Sequence, residues 1–352
     1  MFPSTRYQGS KRKLIPWLFD CMEGLEFDQV LDLFGGTASI SYAFKQRGKQ
    51  VHYNDYLRFN QQVGTALISN HSTRVSEATL SRVMLAAERG AEPGTANPGF
   101  ITSTFPGIYF TEPENRWLDA VIPAVADTTN PFERAILWAA LGQAALIKRP
   151  YNLFHRANLT MRLRKVQRSF GNKVAWERPF DHYLSHFVAE FNAAVFDSGR
   201  ICQSTCVDAA EFEPSCDLVY LDPPYTSAAR NSVDYRDFYH FLEGMLDYQN
   251  WSDQLDHKRR HKPLRRRANP WSRAAEVTYA FQTLFERCAQ VPILALSYRS
   301  DGLPKVSELC HMLRSFGRAV TVHEAKDYRY ALSGRRAGEV LLLAQLSSAG
   351  RR

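Results

Sequence analysis

Residues 30–55 contain the pattern that most restricts how this chain folds. An apolar stretch, Val30–Phe34, ends in two glycines and precedes a helical pattern at Ser39–Lys45. A second apolar stretch, Val51–Tyr53, then leads to Asp55. Strand, glycine turn, helix, strand and acid is the beginning of a βαβ unit, in which the strands run parallel. The pattern therefore predicts an α/β fold with a mostly parallel sheet.

The alternation of strands and helices is interrupted and then resumes. Residues 61–199 carry mainly helical patterns, at Ser76–Arg89, Pro131–Ile147 and His182–Ala194. Stretches typical of strands then return at Arg200–Cys206, Leu218–Leu221, Pro292–Tyr298, Val320–Glu324 and Glu339–Leu346. Only the short loop Tyr328–Gly338 separates the last two, which predicts an antiparallel C-terminal pair.

This organisation predicts a catalytic domain formed by residues 1–60 and 200–347, with residues 61–199 inserted as a mainly helical domain. Residues 252–275 are rich in arginine, poor in apolar residues and contain two prolines. We expect this segment to be a basic mobile loop within the catalytic domain.

Composition sets broad limits on the class of protein. The 352 residues are 45% hydrophobic and 23% charged, as in an ordinary folded protein. No apolar run approaches the roughly 20 residues that a membrane span needs, and the N-terminus lacks the apolar core of a secretory signal, so we expect a cytoplasmic protein. The net charge of +8 suits a polyanionic partner without requiring one. The six cysteines form no metal-binding motif, which predicts reduced thiols and no metal site.

The strongest chemical signal is the segment Val219–Tyr225, in which an apolar strand ends in Asp222, Pro223, Pro224 and Tyr225. Open α/β sheets bind ligands at the carboxyl edge, where this strand ends. The prolines fix φ and lack N–H groups, so the turn is stiff and offers carbonyl oxygens. The tetrapeptide alone is as typical of a rigid structural turn as of a ligand-binding site. Its position directly after a buried strand favours the binding site.

Such a corner suits methylation of an aromatic amine, whose nitrogen lone pair is delocalised into the ring. Asp222 and the Pro223 carbonyl can each accept one N–H group, which favours a pyramidal nitrogen. Tyr225 can stack on the base, which must leave the duplex to be reached, and stacking is worth roughly 1–3 kcal/mol per base. A methyl sulfonium is already a strong electrophile, so positioning is most of what is required.

The glycine turn at Gly35 and Gly36 lets a ligand approach the backbone closely. Its spacing is not G-x-G-x-x-G, and no lysine followed by serine or threonine completes a P-loop, which disfavours dinucleotides and nucleoside triphosphates. An amino-acid tail with its carboxylate at the helix N-terminus fits better. Asp55, after the next strand, is placed to accept hydrogen bonds from a ribose.

Four segments in this order resemble the Dam-like class of DNA adenine methyltransferases: Y-x-G-S-K from Tyr7, D-L-F-G-G-T-A-S from Asp32, N-D-Y from Asn54 and L-D-P-P-Y from Leu221. The resemblance implies a Rossmann-like S-adenosylmethionine-dependent methyltransferase fold, with the helical insertion as the target-recognition domain. It implies methylation of the exocyclic amino group of a flipped adenine in double-stranded DNA. Such enzymes act alone or beside a separately encoded restriction endonuclease.

The resemblance also implies roles for individual residues. Tyr7 and Lys11 match an aromatic residue and a lysine that contact the cofactor, Asp55 matches the ribose-binding acid, and Asp208 resembles the acid that reaches the cofactor adenine. Asp222 matches the acid that meets both cofactor and target amine. The full cofactor set is Tyr7, Lys11, Asp32, Phe34, Gly35, Gly36, Thr37, Asp55, Asp208 and Asp222. Ala38 departs from the family, which often has a glycine there, but alanine is nearly as small.

DNA contacts are expected from two segments. Arg156, Asn158 and Arg162 lie in a segment that mixes aromatic, amide and guanidinium groups, of which arginine can bind guanine edges and asparagine adenine edges. The basic loop, through Lys258, Arg265, Arg266 and Arg267, would bind phosphates, which position a duplex without reading it.

Other functions stay open at this point. The planar amine could instead be the N4 group of cytosine in DNA, an RNA base or a glutamine side chain. A different class is a non-catalytic DNA-binding scaffold that retains the fold, although the complete cofactor and catalytic segments argue against it.

Overall fold

The structure is a computed structural model that describes residues 1–92, 98–164, 172–227, 234–325 and 338–347. Apart from Gly338, the predicted loop Tyr328–Gly338 lies outside the described residues. The α-helices in the described part are α1 (Ile15–Cys21), α2 (Ser39–Gln46), α3 (Arg58–Gly64), α4 (Glu77–Ala91), α5 (Phe100–Thr104), α6 (Glu112–Ala126), α7 (Pro131–Ile147), α8 (Leu159–Leu163), α9 (Asn172–Glu177), α10 (Phe180–Ala194), α11 (Tyr235–Leu246), α12 (Val277–Arg287) and α13 (Val306–Ser315). The strands are β1 (Gln29–Asp32), β2 (Gln50–Asn54), β3 (Gln203–Thr205), β4 (Leu218–Leu221), β5 (Thr226–Ser227), β6 (Ile293–Arg299), β7 (Gly302–Leu303), β8 (Arg318–Ala325) and β9 (Glu339–Leu346).

The chain divides into two compact units. The sheet unit comprises Ser10–Tyr56, Ser198–Tyr235 and Ala268–Arg352, and the helical unit comprises Met1–Gly9, Leu57–Asp197 and Arg236–Arg267. Residues 1–9 and 236–267 therefore group with the helical unit, whereas the sequence pattern places them in the catalytic domain.

The sheet unit is built on a seven-stranded sheet in the order β3-β2-β1-β4-β6-β9-β8. Strands β3, β2, β1, β4 and β6 pair in parallel, while β9 is antiparallel to both β6 and β8. This confirms the predicted α/β fold with a mostly parallel sheet and an antiparallel C-terminal strand. The order reverses between β1 and β4, and the crevice beside such a switch point is where open α/β sheets bind ligands.

The central strands follow from their sequences. All four residues of β4, L-V-Y-L, are buried, and β1 and β6 pair with its two edges, so β4 is a central strand of the sheet. Buried parallel strands read as continuous apolar runs, which is why β4 was predicted with the bounds observed. At the edge of the sheet, β3 is shorter than predicted, and only Gln203–Thr205 pairs with β2.

In the helical unit, α7 is buried along most of its length, from Ala135 to Leu146. Asn130 caps this helix by accepting hydrogen bonds from the N–H groups of Phe132 and Glu133. Pro131 occupies the first helical position, where its missing N–H group costs nothing. No helix in the described part of the chain combines the length and apolar character needed to cross a membrane.

Candidate active site

An acidic corner follows β4 in the middle of the sheet. Asp222 is 17% exposed, Pro223 is buried, and Pro224 and Tyr225 are half-buried. Neither proline carries an N–H group, so the turn presents carbonyl oxygens and one carboxylate. These groups lie at the carboxyl end of β4, beside the switch point between β1 and β4.

Lys11 lies beside this corner and is almost completely buried. Its ammonium donates a hydrogen bond to the Tyr225 hydroxyl and lies 3.4 Å from Asp222 Oδ1. The Tyr225 hydroxyl in turn donates to Asp222 Oδ1. The fold thus brings together a lysine from the N-terminal segment and two residues of the acidic corner.

Glu339 and Ser297 complete this cluster and were not predicted from the sequence. Glu339 Oε1 accepts hydrogen bonds from Lys11 Nζ and Ser297 Oγ, each at 2.5 Å. Both Glu339 and Ser297 are fully buried. A carboxylate at the start of an apolar strand could have indicated Glu339, because fully buried acids are rare unless paired. Ser297 carries no comparable signal.

The environment of Asp222 changes its titration. Burial raises the pKa of Asp222 to about 6; the Lys11 ammonium opposes this rise, and the Glu339 carboxylate adds to it. The hydrogen bond from Tyr225 also lowers the pKa. The carboxylate is therefore ionised at neutral pH but titrates in the mildly acidic range.

The glycine turn after β1 has the conformation that its sequence requires, for two separate reasons. A Cβ atom at Gly35 would stand 2.1 Å from the Tyr53 ring, so packing against Tyr53 excludes any side chain there. Gly36 has φ of +49°, in the left-handed region that favours glycine. The Tyr53 hydroxyl donates to the Gly36 carbonyl at 2.8 Å. Gly35 is therefore required by packing against Tyr53 and Gly36 by its backbone conformation, and the close approach of a ligand to this turn stays a prediction.

Asp55 and Asn54 fasten the turn to the end of β2. The Gly36 N–H donates to Asp55 Oδ2 at 2.9 Å, and the Gly35 N–H donates to the Asn54 carbonyl at 2.8 Å. The Asn54 side-chain amide donates to the carbonyls of Leu33 and Val207. Asp55 is consequently held next to the glycine turn, as the βαβ pattern predicts.

Asp32, the last residue of β1, has an unusual environment. It is buried, and its Oδ2 atom accepts a hydrogen bond from Ser41 at 2.7 Å. Its Oδ1 atom has no hydrogen-bond partner among the described residues. Burial raises the pKa of Asp32 to about 7, against the hydrogen bond from Ser41, and the carboxylates of Asp222 and Asp55 contribute to the rise. An unpartnered buried acceptor beside two further acids suits a cationic ligand group.

Phe34 and Thr37 are the remaining predicted residues of the turn. The Phe34 ring packs edge-on against Trp271, with centroids 5.2 Å apart. Thr37 is buried, and its hydroxyl donates to Ser39 at 3.1 Å. Both side chains therefore shape the turn itself.

Ala38, where the family often has a glycine, differs from a glycine mainly in the cost of its backbone conformation. Its φ of 61° and ψ of 11° are left-handed, a conformation that costs an L-residue with a Cβ atom about 1–2 kcal/mol. A glycine would adopt it without that cost. The similar size of alanine and glycine is thus not the relevant comparison.

Asp208 and Tyr7 have other local partners. Asp208 is exposed, and its Oδ1 atom accepts a hydrogen bond from the Ala210 N–H at 2.9 Å, which closes a tight turn. Tyr7 belongs to the helical unit, where its ring stacks on Tyr239 at 4.2 Å and its hydroxyl accepts from Asn60 at 3.1 Å. Their predicted cofactor contacts stay predictions.

The comparison with known proteins identifies the family. Residues 7–292 match the D12 class N6 adenine-specific DNA methyltransferases. The chain belongs to this family. The resemblance drawn from the four motifs is thereby confirmed, and the adenine amino group is the target that defines the class.

Individual relatives of this D12 class methyltransferase are restriction-modification enzymes. It is 28% identical over 344 residues to the type II methyltransferase M2.HphI of Haemophilus parahaemolyticus, across 95% of this chain and 94% of the relative. Identity to the modification methylase LlaI of Lactococcus lactis subsp. lactis is 23%, across 92% of this chain and 51% of the relative. Identity to the type II methyltransferase M.CviAII of Paramecium bursaria Chlorella virus 1 is 20%, across 93% of each chain.

Two residues of the methyltransferase predicted to read bases lie in the interior of the helical unit. Arg162 is 7% exposed and donates to both oxygens of Glu114, at 3.0 and 2.7 Å. Asn158 is equally buried and accepts a hydrogen bond from the fully buried Arg149. The prediction that these two side chains contact base edges is therefore corrected, because their polar groups are bonded to neighbours inside the protein. Arg156 is exposed, as its predicted role requires.

The basic segment of the methyltransferase is folded back on itself. Leu255 and Leu264 form an antiparallel bridge and are both buried, which anchors the two arms. The side chains of Lys258 and Arg265–Arg267 are exposed. Within this group, Arg266 forms an ion pair with Asp237 at 2.8 Å. The bridge gives the segment an apolar anchor that its composition did not indicate, and the predicted mobility of the loop stays a prediction.

The six cysteines of the methyltransferase are reduced thiols, and no two of them form a disulfide. Within the described ranges, no cluster of histidine, cysteine and acidic residues has an arrangement that could hold a metal ion.

Proposed function

We propose that this chain transfers the methyl group of S-adenosylmethionine to the exocyclic amino group of an adenine that has been flipped out of double-stranded DNA. The observation that carries the proposal is the pairing of β1 with β4. It brings the glycine turn and the acidic corner to the same sheet edge at the switch point. One ligand can then lie against the turn while a second meets Asp222.

The residues of the sheet unit fit the chemical groups of the proposed cofactor. The unpartnered Oδ1 atom of Asp32 suits an α-ammonium group, and the start of α2 suits an α-carboxylate. Asp55 suits the ribose hydroxyls, and Asp208 the adenine amino group. Gly36 supplies the left-handed backbone of the turn, and we assign supporting contacts to Lys11, Phe34, Gly35 and Thr37. When bound, this cofactor supplies a methyl group on a sulfonium, a strong electrophile.

The acidic corner supplies the acceptors that the target amine needs. Asp222 and the Pro223 carbonyl would each accept one N–H group, which turns the nitrogen lone pair away from the ring system. Tyr225 would stack on the flipped base, and Pro224 keeps the corner rigid. Stacking worth roughly 1–3 kcal/mol offsets part of the few kcal/mol needed to unstack the base.

DNA would be read by the helical unit and held by basic side chains. Arg156 is exposed and can bind a base edge, while Lys258, Arg265, Arg266 and Arg267 suit phosphates. Because the relatives are type II methyltransferases, we propose a modification enzyme whose cognate endonuclease is encoded separately.

The test is a transfer assay with a labelled methyl donor and unmethylated DNA of varied sequence. We expect label in the DNA, recovered as N6-methyladenine after digestion to nucleosides. Label in cytosine would move the proposal to the other amine, and label in RNA alone would remove DNA as the substrate. Background label from folded, DNA-binding protein would favour a non-catalytic scaffold.

A further inference from the structure

Glu339 is a fully buried carboxylate at the start of a strand that is otherwise mostly apolar. Taking an ionised carboxylate out of water costs several kcal/mol unless partners compensate. Lys11 and Ser297 both donate hydrogen bonds to its Oε1 atom. Lys11 also meets Tyr225 and Asp222, so it links Glu339 to the acidic corner.

Lys11 needs such an anchor. A lysine carries a compact charge on a flexible four-carbon stem, so its own geometry does not fix where the ammonium lies. Here the ammonium is held between Glu339 on β9 and the Tyr225–Asp222 pair after β4. Strand β6 lies between these two strands in the sheet and contributes Ser297. Three strands therefore combine to place one charge.

We propose that Glu339 is a positioning residue, oriented by Ser297, that fixes the Lys11 ammonium against Tyr225 and Asp222 and so holds the catalytic carboxylate in one arrangement. The inference rests on the proposed function, because turnover is its readout. It adds a residue that none of the sequence motifs contains.

The charges of Lys11 and Glu339 also affect the pKa of Asp222, which can be measured separately from the loss of activity. Lys11 lowers the pKa of Asp222 and Glu339 raises it. Among the described residues, the other ionisable groups that interact with Asp222 include Tyr225 in its own turn, Asp32 on β1, Tyr220 on β4 and Tyr235 at the start of α11. Because these are unchanged in variants of Lys11 or Glu339, removing either charge should move the Asp222 titration in a direction set by that charge alone.

The experiment is a double-mutant cycle with Glu339→Gln and Lys11→Met in the full chain, measuring kcat, KM and the pH dependence of kcat/KM. Glu339→Gln keeps the shape of the side chain and should lower kcat by about ten- to a hundredfold, as a small misplacement near the reacting atoms does. Its acidic limb should move to lower pH, whereas Lys11→Met should move the limb to higher pH. In the Lys11→Met background, Glu339→Gln should cause no further loss of kcat.

A control variant and a second test variant distinguish a loss of positioning from a loss of folding. Arg318 is another buried ion of the same sheet, and its guanidinium contacts only carbonyl oxygens in the described structure. Arg318→Met should lower the melting temperature without moving the acidic limb. If Glu339→Gln does not fold, Ser297→Ala removes a single hydrogen bond and should give a smaller loss of kcat that also disappears in the Lys11→Met background.

Two outcomes would overturn the inference. One is a wild-type kcat in Glu339→Gln; the other is an equal loss of kcat whether or not Lys11 is present. Failure of the proposed function looks different, since the wild-type protein would then transfer no methyl group to DNA.

Discussion

Asp217 and Asp222 flank the two ends of β4 and have opposite kinds of environment. Asp217 accepts hydrogen bonds from the N–H groups of Asp28 and Gln29, both at 2.8 Å, and so serves the backbone. Asp222 instead meets the side chains of Lys11 and Tyr225. Asp217 is therefore a structural residue, whereas the carboxylate of Asp222 lies among side chains that can contact a substrate.

Replacement of Asp222 by alanine should abolish methyl transfer while DNA binding stays largely intact. The residue's proposed role is at the amine, and loss of one preorganised polar contact in an active site costs about a hundredfold or more in kcat. Labelled transfer and fluorescence anisotropy on the same DNA measure the two effects. The matched control is Asp217→Asn, which should reduce thermal stability and leave kcat near the wild-type value. Near-normal turnover in Asp222→Ala would remove the proposed mechanism.

The rate should also depend on pH through Asp222. Its pKa is raised to about 6 in the folded protein, so the carboxylate gains a proton, and loses its role as acceptor, as the pH falls through that value. At a saturating concentration of methyl donor, which occupies Asp32 and so removes its own titration near pH 7 from the profile, we expect kcat/KM for DNA to be level at neutral pH and to fall about tenfold per pH unit below the midpoint. Initial rates across the mildly acidic range measure this, with DNA affinity followed in parallel. A flat profile while DNA stays bound would contradict the assignment.

The sequence predicted the positions of some site residues better than those of others. Asp222 and Asp55 were predictable because each follows an apolar strand, and strand ends in a parallel sheet share one edge. Glu339 was not predicted, because its position at the start of an apolar strand was a weak signal and its partner Lys11 lies at the other end of the chain. Arg162 and Asn158 were assigned to DNA from residue type alone, and residue type does not reveal that Glu114 and Arg149 hold them inside.

The residue that precedes helix α2, Ala38, has a strained backbone conformation. Ala38 is its N-cap and has a left-handed backbone, with no side-chain hydrogen bond to cap the helix. The motif pattern shows where the family has a glycine, but the positive φ that explains the glycine is visible only in the structure.

Replacement of Ala38 by glycine should therefore raise the free energy of unfolding by up to about 1 kcal/mol, because relief of the left-handed strain outweighs the loss of one buried methyl group and the greater freedom of the unfolded chain. Denaturant unfolding of the two proteins measures the difference. Ala43→Gly, inside α2, is the control and should destabilise by at least about 1 kcal/mol. Equal stabilities of Ala38→Gly and the wild-type protein would show that the strain is relieved elsewhere.

Elements were predictable where their patterns were strong. Strands β1, β4 and β9 and helix α7 were found because buried strands and capped helices leave continuous signals. Helix α6 was not predicted, and it contains Pro123 in its interior, a residue that normally ends or bends a helix. Its observed start is explained by a capping box between Thr111 and Glu114.

The whole molecule carries a net charge of +8, part of which is displayed by the basic segment. Arg265, Arg266 and Arg267 are exposed, and Asp237 neutralises part of this charge through Arg266. We expect these exposed arginines to attract DNA phosphates, which position a duplex without reading its bases.

Conversion of these three arginines to glutamine should weaken binding to all DNA sequences alike. The slope of log affinity against log salt should flatten by up to about 0.9 for each phosphate that the protein no longer neutralises. Affinities over a salt series, on cognate and unrelated duplexes, measure both effects. The charge-matched control changes Arg273, Arg287 and Arg314 in the sheet unit and should change the slope less. Weakening confined to one recognition sequence would show that the segment reads bases.

The route of the chain through the sheet has a consequence for how such proteins diversify. The chain leaves the sheet after β2 and returns at β3, and these two strands are direct neighbours. Whatever lies between them must only begin and end at adjacent points on one edge, and lengthening such an excursion adds little to the entropy of closing it. Residues 57–197 can therefore differ in length between relatives without rebuilding the strands. Residues 236–267 of the same helical unit pack against them, as in the stacking of Phe154 on Phe241, so a new DNA specificity would require both segments to change together while the strands stay the same.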